Sequence, residues 1–207
     1  MSLLRDWTVS ATAGEFAGFL VPAVVGAVLF DSAAALPALM AAGVVEGSVL
    51  GWSQARVLRR RLPAMSVRRW VLGTGVAAAC AYLLGMSPST FHETWSAWPM
   101  ALPIALGVVF GVALLASIGF AQWLELRRHV ARAGRWIAWT AAAWLAGLTV
   151  FLLVCTPLWQ PGQPWWLVAA IGVLCGLLMA FVTALVTGYG IRHLLAAKDP
   201  AASVART

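Results

Sequence analysis

Between Arg135 and Arg192 the chain carries no Asp, Glu, Lys or Arg. One membrane crossing takes about 20 apolar residues, so this stretch must hold two. The break between them reads Cys155-Thr156-Pro157-Leu158-Trp159-Gln160-Pro161-Gly162-Gln163-Pro164. The rest of the chain is of the same kind: 62% of its 207 residues are hydrophobic and 10% are charged, against about 25% charged in a soluble domain. Apolar surface on this scale faces lipid. The net charge of +7 does not indicate nucleic acid, because the basic residues are confined to segments between apolar spans. There Arg sets topology and meets anionic lipid.

The uncharged runs predict six helices, roughly 8–30, 36–55, 70–86, 98–124, 136–157 and 165–191. The distribution of the 14 Lys and Arg decides their orientation. Arg5 precedes the first helix. Arg56, Arg59, Arg60, Arg61, Arg68 and Arg69 lie between the second and third, and Arg127, Arg128, Arg132 and Arg135 between the fourth and fifth. Arg192, Lys198 and Arg206 follow the sixth. With six spans all of them fall on one side, which the positive-inside rule makes cytoplasmic. Both termini are then inside, in a multi-pass protein of the bacterial inner membrane. Arg59, Arg60, Arg61, Arg127 and Arg128 are the expected contacts to anionic lipid of the cytoplasmic leaflet. The N-terminal apolar run mimics a signal peptide, but it contains Glu15 and opens a repeat, so it is read as a retained helix.

The repeat has a period near 68 residues. Gly51-Trp52-Ser53-Gln54 leads to Leu58-Arg59-Arg60, and Gly119-Phe120-Ala121-Gln122 to Leu126-Arg127-Arg128. A worn copy reads Gly188-Tyr189-Gly190-Ile191-Arg192. Each unit opens with Trp and then Thr: Trp7/Thr12, Trp70/Thr74 and Trp136/Thr140. The hairpin units span about 7–62, 70–130 and 136–195, forming one transmembrane domain over 1–195 with a short disordered tail at 196–207. Trp7, Trp70 and Trp136 are read as anchors at the cytoplasmic interface, and Trp95, Trp98, Trp159, Trp165 and Trp166 as anchors at the opposite one. Glycines at four-residue spacing (Gly14/Gly18, Gly43/Gly47/Gly51, Gly107/Gly111 and Gly172/Gly176) are expected at helix contacts. Gln54 and Gln122, at the same repeat position near the ends of their spans, should either bridge helices through hydrogen bonds or satisfy frayed helix-end carbonyls.

Two carboxylates inside the spans are the sharpest feature. Glu15 lies eight residues past Trp7, about 12 Å along its helix, and Glu46 ten residues before Arg56, about 15 Å from that end, at ~1.5 Å per residue. On antiparallel neighbours they share a depth. Acids there are functional candidates by default, since two nearby carboxyls must share a proton or hold a cation. The repeat positions matching Glu46 are Leu114 and Thr183, so architecture alone does not require an acid. The competing reading is structural: a protonated Glu bonded to a carbonyl or to Ser10. Asp31, His92 and Glu93 read as solvated outer-loop residues with no metal-ligand spacing. Cys80, Cys155 and Cys175 read as small apolar residues. There is no H-E-x-x-H, G-x-S-x-G or P-loop, so no catalytic residue, metal site or cofactor is expected.

The run Gly119-Phe120-Ala121-Gln122-Trp123-Leu124-Glu125-Leu126-Arg127-Arg128 followed by Arg135-Trp136-Ile137-Ala138-Trp139-Thr140 resembles bacterial polytopic membrane proteins with repeated G-x-x-Q-W-x-x-L-R-R and W-W-x-x-x-T hairpins. The resemblance covers the first two units; in the third, Ile191 replaces the Gln. It implies the hairpin fold and adds no activity or site residue. The expected protein is thus an all-α integral membrane protein of six spans that binds or transports a small solute or ion, proton- or cation-linked, near Glu15 and Glu46. The alternative is a non-transporting membrane partner subunit or a lipid-interacting scaffold working through its Arg loops; a membrane-protein partner or a second copy of the chain, as a homo-oligomer, is compatible with either.

Overall fold

The computed structural model describes residues 2–29 and 32–196. Asp31, Lys198, Arg206 and the tail from 197 lie outside the described residues. Helices α1 (Leu3–Leu29), α2 (Ala35–Leu58), α3 (Val67–Thr90), α5 (Ala101–Leu126), α6 (Arg135–Leu158) and α7 (Trp165–Ala196) are long and apolar enough to cross a membrane. The outer segment holding His92 and Glu93 forms a short helix, α4 (His92–Ser96), rather than open loop. No strand occurs among the described residues. In hydrocarbon each helix satisfies its own backbone groups, which explains the all-helical result. Pro37 falls in the first turn of α2, where a missing N–H costs nothing.

The spans pack in chain order, α1 on α2, α2 on α3, α3 on α5, α5 on α6 and α6 on α7, and α7 returns to α1. The result is a closed ring. The Arg-bearing ends share one end of it. Asp6 on α1 pairs with Arg60 after α2 at 3.6 Å, and Trp7 on α1 bonds Thr187 on α7. The turns at that end fold apolar residues inward: Leu62 and Met65 after α2, Val130 and Ala133 after α5, all buried. Arg59, Arg60, Arg61, Arg127 and Arg128 point outward and are exposed. Ser66 caps α3 by accepting the Arg69 N–H at 3.3 Å.

The main core also lies at this end, and it revises the reading of three tryptophans. Trp7, Trp70 and Trp136 are fully buried, not interfacial. Their rings meet on the ring axis, with centroids 5.9 Å apart for Trp7–Trp136 and 6.2 Å for Trp70–Trp136. A buried indole N–H needs an acceptor, and each finds one on the helix preceding its own around the ring. Trp70 Nε1 donates to Gln54 Oε1 at 3.3 Å, Trp136 Nε1 to Gln122 Oε1 at 2.9 Å, and Trp7 Nε1 to Thr187 Oγ1 at 3.0 Å. Gln122 Nε2 donates in turn to Gln54 Oε1 at 2.8 Å and Thr74 Oγ1 at 3.0 Å. The two glutamines therefore do bridge helices. At the other end Trp159, Trp165 and Trp166 are exposed.

The glycines divide. A Cβ at Gly18 would stand 2.9 Å from the Glu46 carbonyl oxygen, and one at Gly47 2.6 Å from the Thr74 oxygen. Gly14 likewise lies on Ser53, and Gly43 on Tyr82. The α1 glycines therefore admit α2, whereas Gly43, Gly47 and Gly51 admit α3 rather than α1. Gly107, Gly111 and Gly172 meet nothing within 4 Å, so their spacing serves no contact among the described residues. Bundle and lipid are equally apolar, so hydrophobicity does not choose between packing and exposure.

Candidate functional site

Inside the ring, on the far side of the tryptophan tier from the Arg turns, lies a cavity of about 300 Å³. All six spans wall it: Phe19 from α1, Leu50 from α2, Tyr82 from α3, Leu114 from α5, Trp144 from α6 and Met179 from α7. Glu15 and Glu46 both line it.

Close helix approach brings the acids there. Gly18 seats the α1 backbone directly on the backbone of Glu46, so Glu15, three residues earlier, faces the same space. Gly43 makes room for the Tyr82 ring, and the phenol then reaches one turn along α2 to donate to Glu46 Oε2 at 2.8 Å. Gly176 on α7 accommodates the ring of Phe19, which meets Phe151 edge-on at 6.2 Å. The cavity is thus bounded by aromatic rings held where glycines leave room.

The two acids differ in their surroundings. Glu46 is 6% exposed and engaged by Tyr82. Glu15 is 1% exposed, and neither carboxyl oxygen has a hydrogen-bond partner among the described residues. Ser10 does not serve it; the Ser10 hydroxyl donates to the Ser53 carbonyl at 2.8 Å. A buried carboxyl without a donor is costly unless it holds a proton or faces a cation. No group of three or more His, Cys, Asp or Glu is placed to hold a metal ion among the described residues.

Two functional-looking residues escape the sequence reading. Tyr82 is one of only two tyrosines in the chain, and a hydroxyl at that depth was the available signal. Glu125 sits in the Gly-aromatic motif beside Arg127 and looks like part of a solvated charged face, yet it is buried. It accepts the Ser66 N–H at 2.7 Å, lies 3.0 Å from His129 Nε2 and 3.9 Å from Arg69. That cluster ties the α2–α3 turn to α5. The expected lipid-facing arginines have their own partners in part: Arg60 pairs with Asp6, and Arg127 stacks over Trp123 at 4.8 Å.

Comparison with family models, with curated proteins and with solved structures finds no match to this chain.

Proposed function

We propose that this is a bacterial plasma-membrane protein with both termini cytoplasmic, built from three hairpin units, which binds or moves a small solute or ion at Glu15 and Glu46. One observation carries the site: Glu15, buried and without a hydrogen-bond partner, lines the same cavity as Glu46 at the centre of the ring. Helix packing alone gives no reason for a carboxyl there, since it contributes no bond to a neighbour.

Two patterns favour the hairpin-unit reading. Each unit's opening Trp donates to a polar side chain of the preceding helix. Gly51 also lies against Thr74, Gly119 against Thr140 and Gly188 against Trp7 and Thr8. The inward orientation rests on the one-sided Arg distribution.

The test is ligand-dependent thermal stability of the full chain in mild detergent. Inorganic cations, organic ammonium ions and neutral solutes are compared on wild type and on Glu15→Gln and Glu46→Gln. A class that stabilises wild type and fails on either variant supports the reading. Stabilisation by none, or equally of all three proteins, overturns it.

A second reading, a lipid-interacting scaffold, is favoured by a crevice of about 630 Å³ at the Arg end. It lies between α6 and α7 and is lined by Arg132, Arg135, Trp139 and His193. Basic pockets between helices on that side suit anionic headgroups. Saturable binding of a spin-labelled phosphatidylglycerol, lost in Arg132→Ala/Arg135→Ala, would support it; binding unchanged by the double variant would refute it.

A further inference from the structure

The walls of the central cavity narrow what Glu15 and Glu46 can hold. Of the sixteen residues lining it, only Glu15, Glu46 and Tyr82 carry a side-chain oxygen. A hard inorganic cation such as Ca²⁺ needs about six to eight oxygen ligands, and much of this surface is carbon. The volume of about 300 Å³ also far exceeds a bare ion, since a water molecule's share of the liquid is only ~30 Å³. It falls at the lower edge of pockets that enclose small organic ligands.

The carbon is of a particular kind. Phe19, Tyr82, Trp144 and Phe151 supply four aromatic rings from α1, α3 and α6. Met86 and Met179 add polarisable, conformationally adaptable side chains. Aromatic faces attract organic cations through the ring quadrupole, most strongly where water is excluded. The acids divide the work. Tyr82 already engages Glu46 at 2.8 Å, which orients that carboxyl and leaves it one oxygen free. Both Glu15 oxygens are unpartnered but closed off from the cavity surface, so the free Glu46 oxygen is the group that meets the charge.

We propose that the central cavity takes a small organic ammonium ion, its cationic nitrogen facing the free oxygen of Glu46 and its apolar body against Phe19, Trp144 and Phe151. Discrimination then follows from two requirements. A neutral isostere lacks the charge that Glu46 matches, and an inorganic cation cannot cover the aromatic walls. The inference rests on the binding reading above and adds the ligand class to it.

The experiment is equilibrium dialysis of radiolabelled benzyltrimethylammonium against the full chain in mild detergent. Its uncharged carbon isostere, neopentylbenzene, and an excess of KCl serve as competitors. Saturable binding is expected, resistant to both competitors. Glu46→Gln should weaken it at least tenfold, and Trp144→Leu by about 2- to 30-fold, the range of a cation–π contact. Tyr82→Phe keeps the ring and frees Glu46. It should leave the cation bound within a few-fold, and it serves as the folded reference should Glu46→Gln lose thermal stability. Binding that is absent in wild type, or that is displaced by neopentylbenzene, or that survives Glu46→Gln unchanged, overturns the organic-cation assignment. In that event, acid-dependent stabilisation by an inorganic cation or a neutral solute would leave the binding site standing with another ligand class. If no class shows acid dependence, both readings fall.

Discussion

Replacing Gln122 by Leu keeps the side chain's approximate size and removes its amide from the centre of the bundle. Gln122 is 1% exposed. It accepts the Trp136 N–H and donates to Gln54 and Thr74, joining α5 to α6, α2 and α3. The three losses are unequal. Trp136 is fully buried and would keep an unpaired N–H, at about 1–3 kcal/mol. Gln54 Oε1 still receives Trp70 Nε1, and the Thr74 hydroxyl still donates to the Trp70 carbonyl. Those two losses therefore cost only the bonds themselves, ~0.6 kcal/mol each on the average for polar helix contacts in membranes. The expected destabilisation is about 2–4 kcal/mol. It would be read from reversible unfolding in mixed micelles by helical circular dichroism, extrapolated linearly to zero denaturant. A double-mutant cycle with Gln54→Leu should be non-additive by at least ~0.5 kcal/mol, because the two amides share a 2.8 Å bond. If Gln122→Leu shifts stability by less than ~0.5 kcal/mol, or the cycle is additive, the tryptophan tier is not held by this network and the argument fails.

Gly47→Ala would press a methyl group onto the Thr74 carbonyl and Ala78 Cβ, 2.6 and 2.7 Å away. It should cost about 1–3 kcal/mol in the same assay, whereas Gly107→Ala and Gly111→Ala, with open space around them, should be neutral or stabilising by up to ~1 kcal/mol. Thr187→Val orphans the Trp7 N–H and should cost about 1–3 kcal/mol. Thr12→Val removes a buried hydroxyl that has no partner and should cost nothing or stabilise; equal losses for the two would contradict the bonding described. Cysteines introduced at Ser89 and Gln163 should react with an impermeant maleimide on intact cells, and one at the exposed Ala64 only after lysis. Labelling of Ala64 in sealed cells would reverse the orientation.

The acids show how far sequence reached into the site. Glu15 and Glu46 stood out because ionisable groups inside apolar runs are rare, and their depths followed from helix rise alone. Tyr82 did not stand out, since an aromatic residue in a span is ordinary until its hydroxyl is seen on Glu46. Glu125 was not singled out at all: beside Arg127 and Arg128 nothing distinguishes it from a solvated acid, and only the fold of the α2–α3 turn buries it against Ser66.

Sequence by itself determined the six helices long and apolar enough to cross a membrane, because the hydrocarbon thickness imposes a length of apolar chain that can be counted. It also placed the Arg-bearing segments on one face of the six-span arrangement. Tertiary structure alone decided that Trp7, Trp70 and Trp136 meet on the axis instead of anchoring at the interface, that Gly43 and Gly47 serve α3, and that Gly107 and Gly111 meet no other helix among the described residues. The physical reason is common to these cases. In lipid, inward and outward faces of a helix are both apolar, so composition carries no signal of which face packs. That choice is made by backbone approach and by buried N–H and hydroxyl groups finding partners, and both depend on which helix lies opposite.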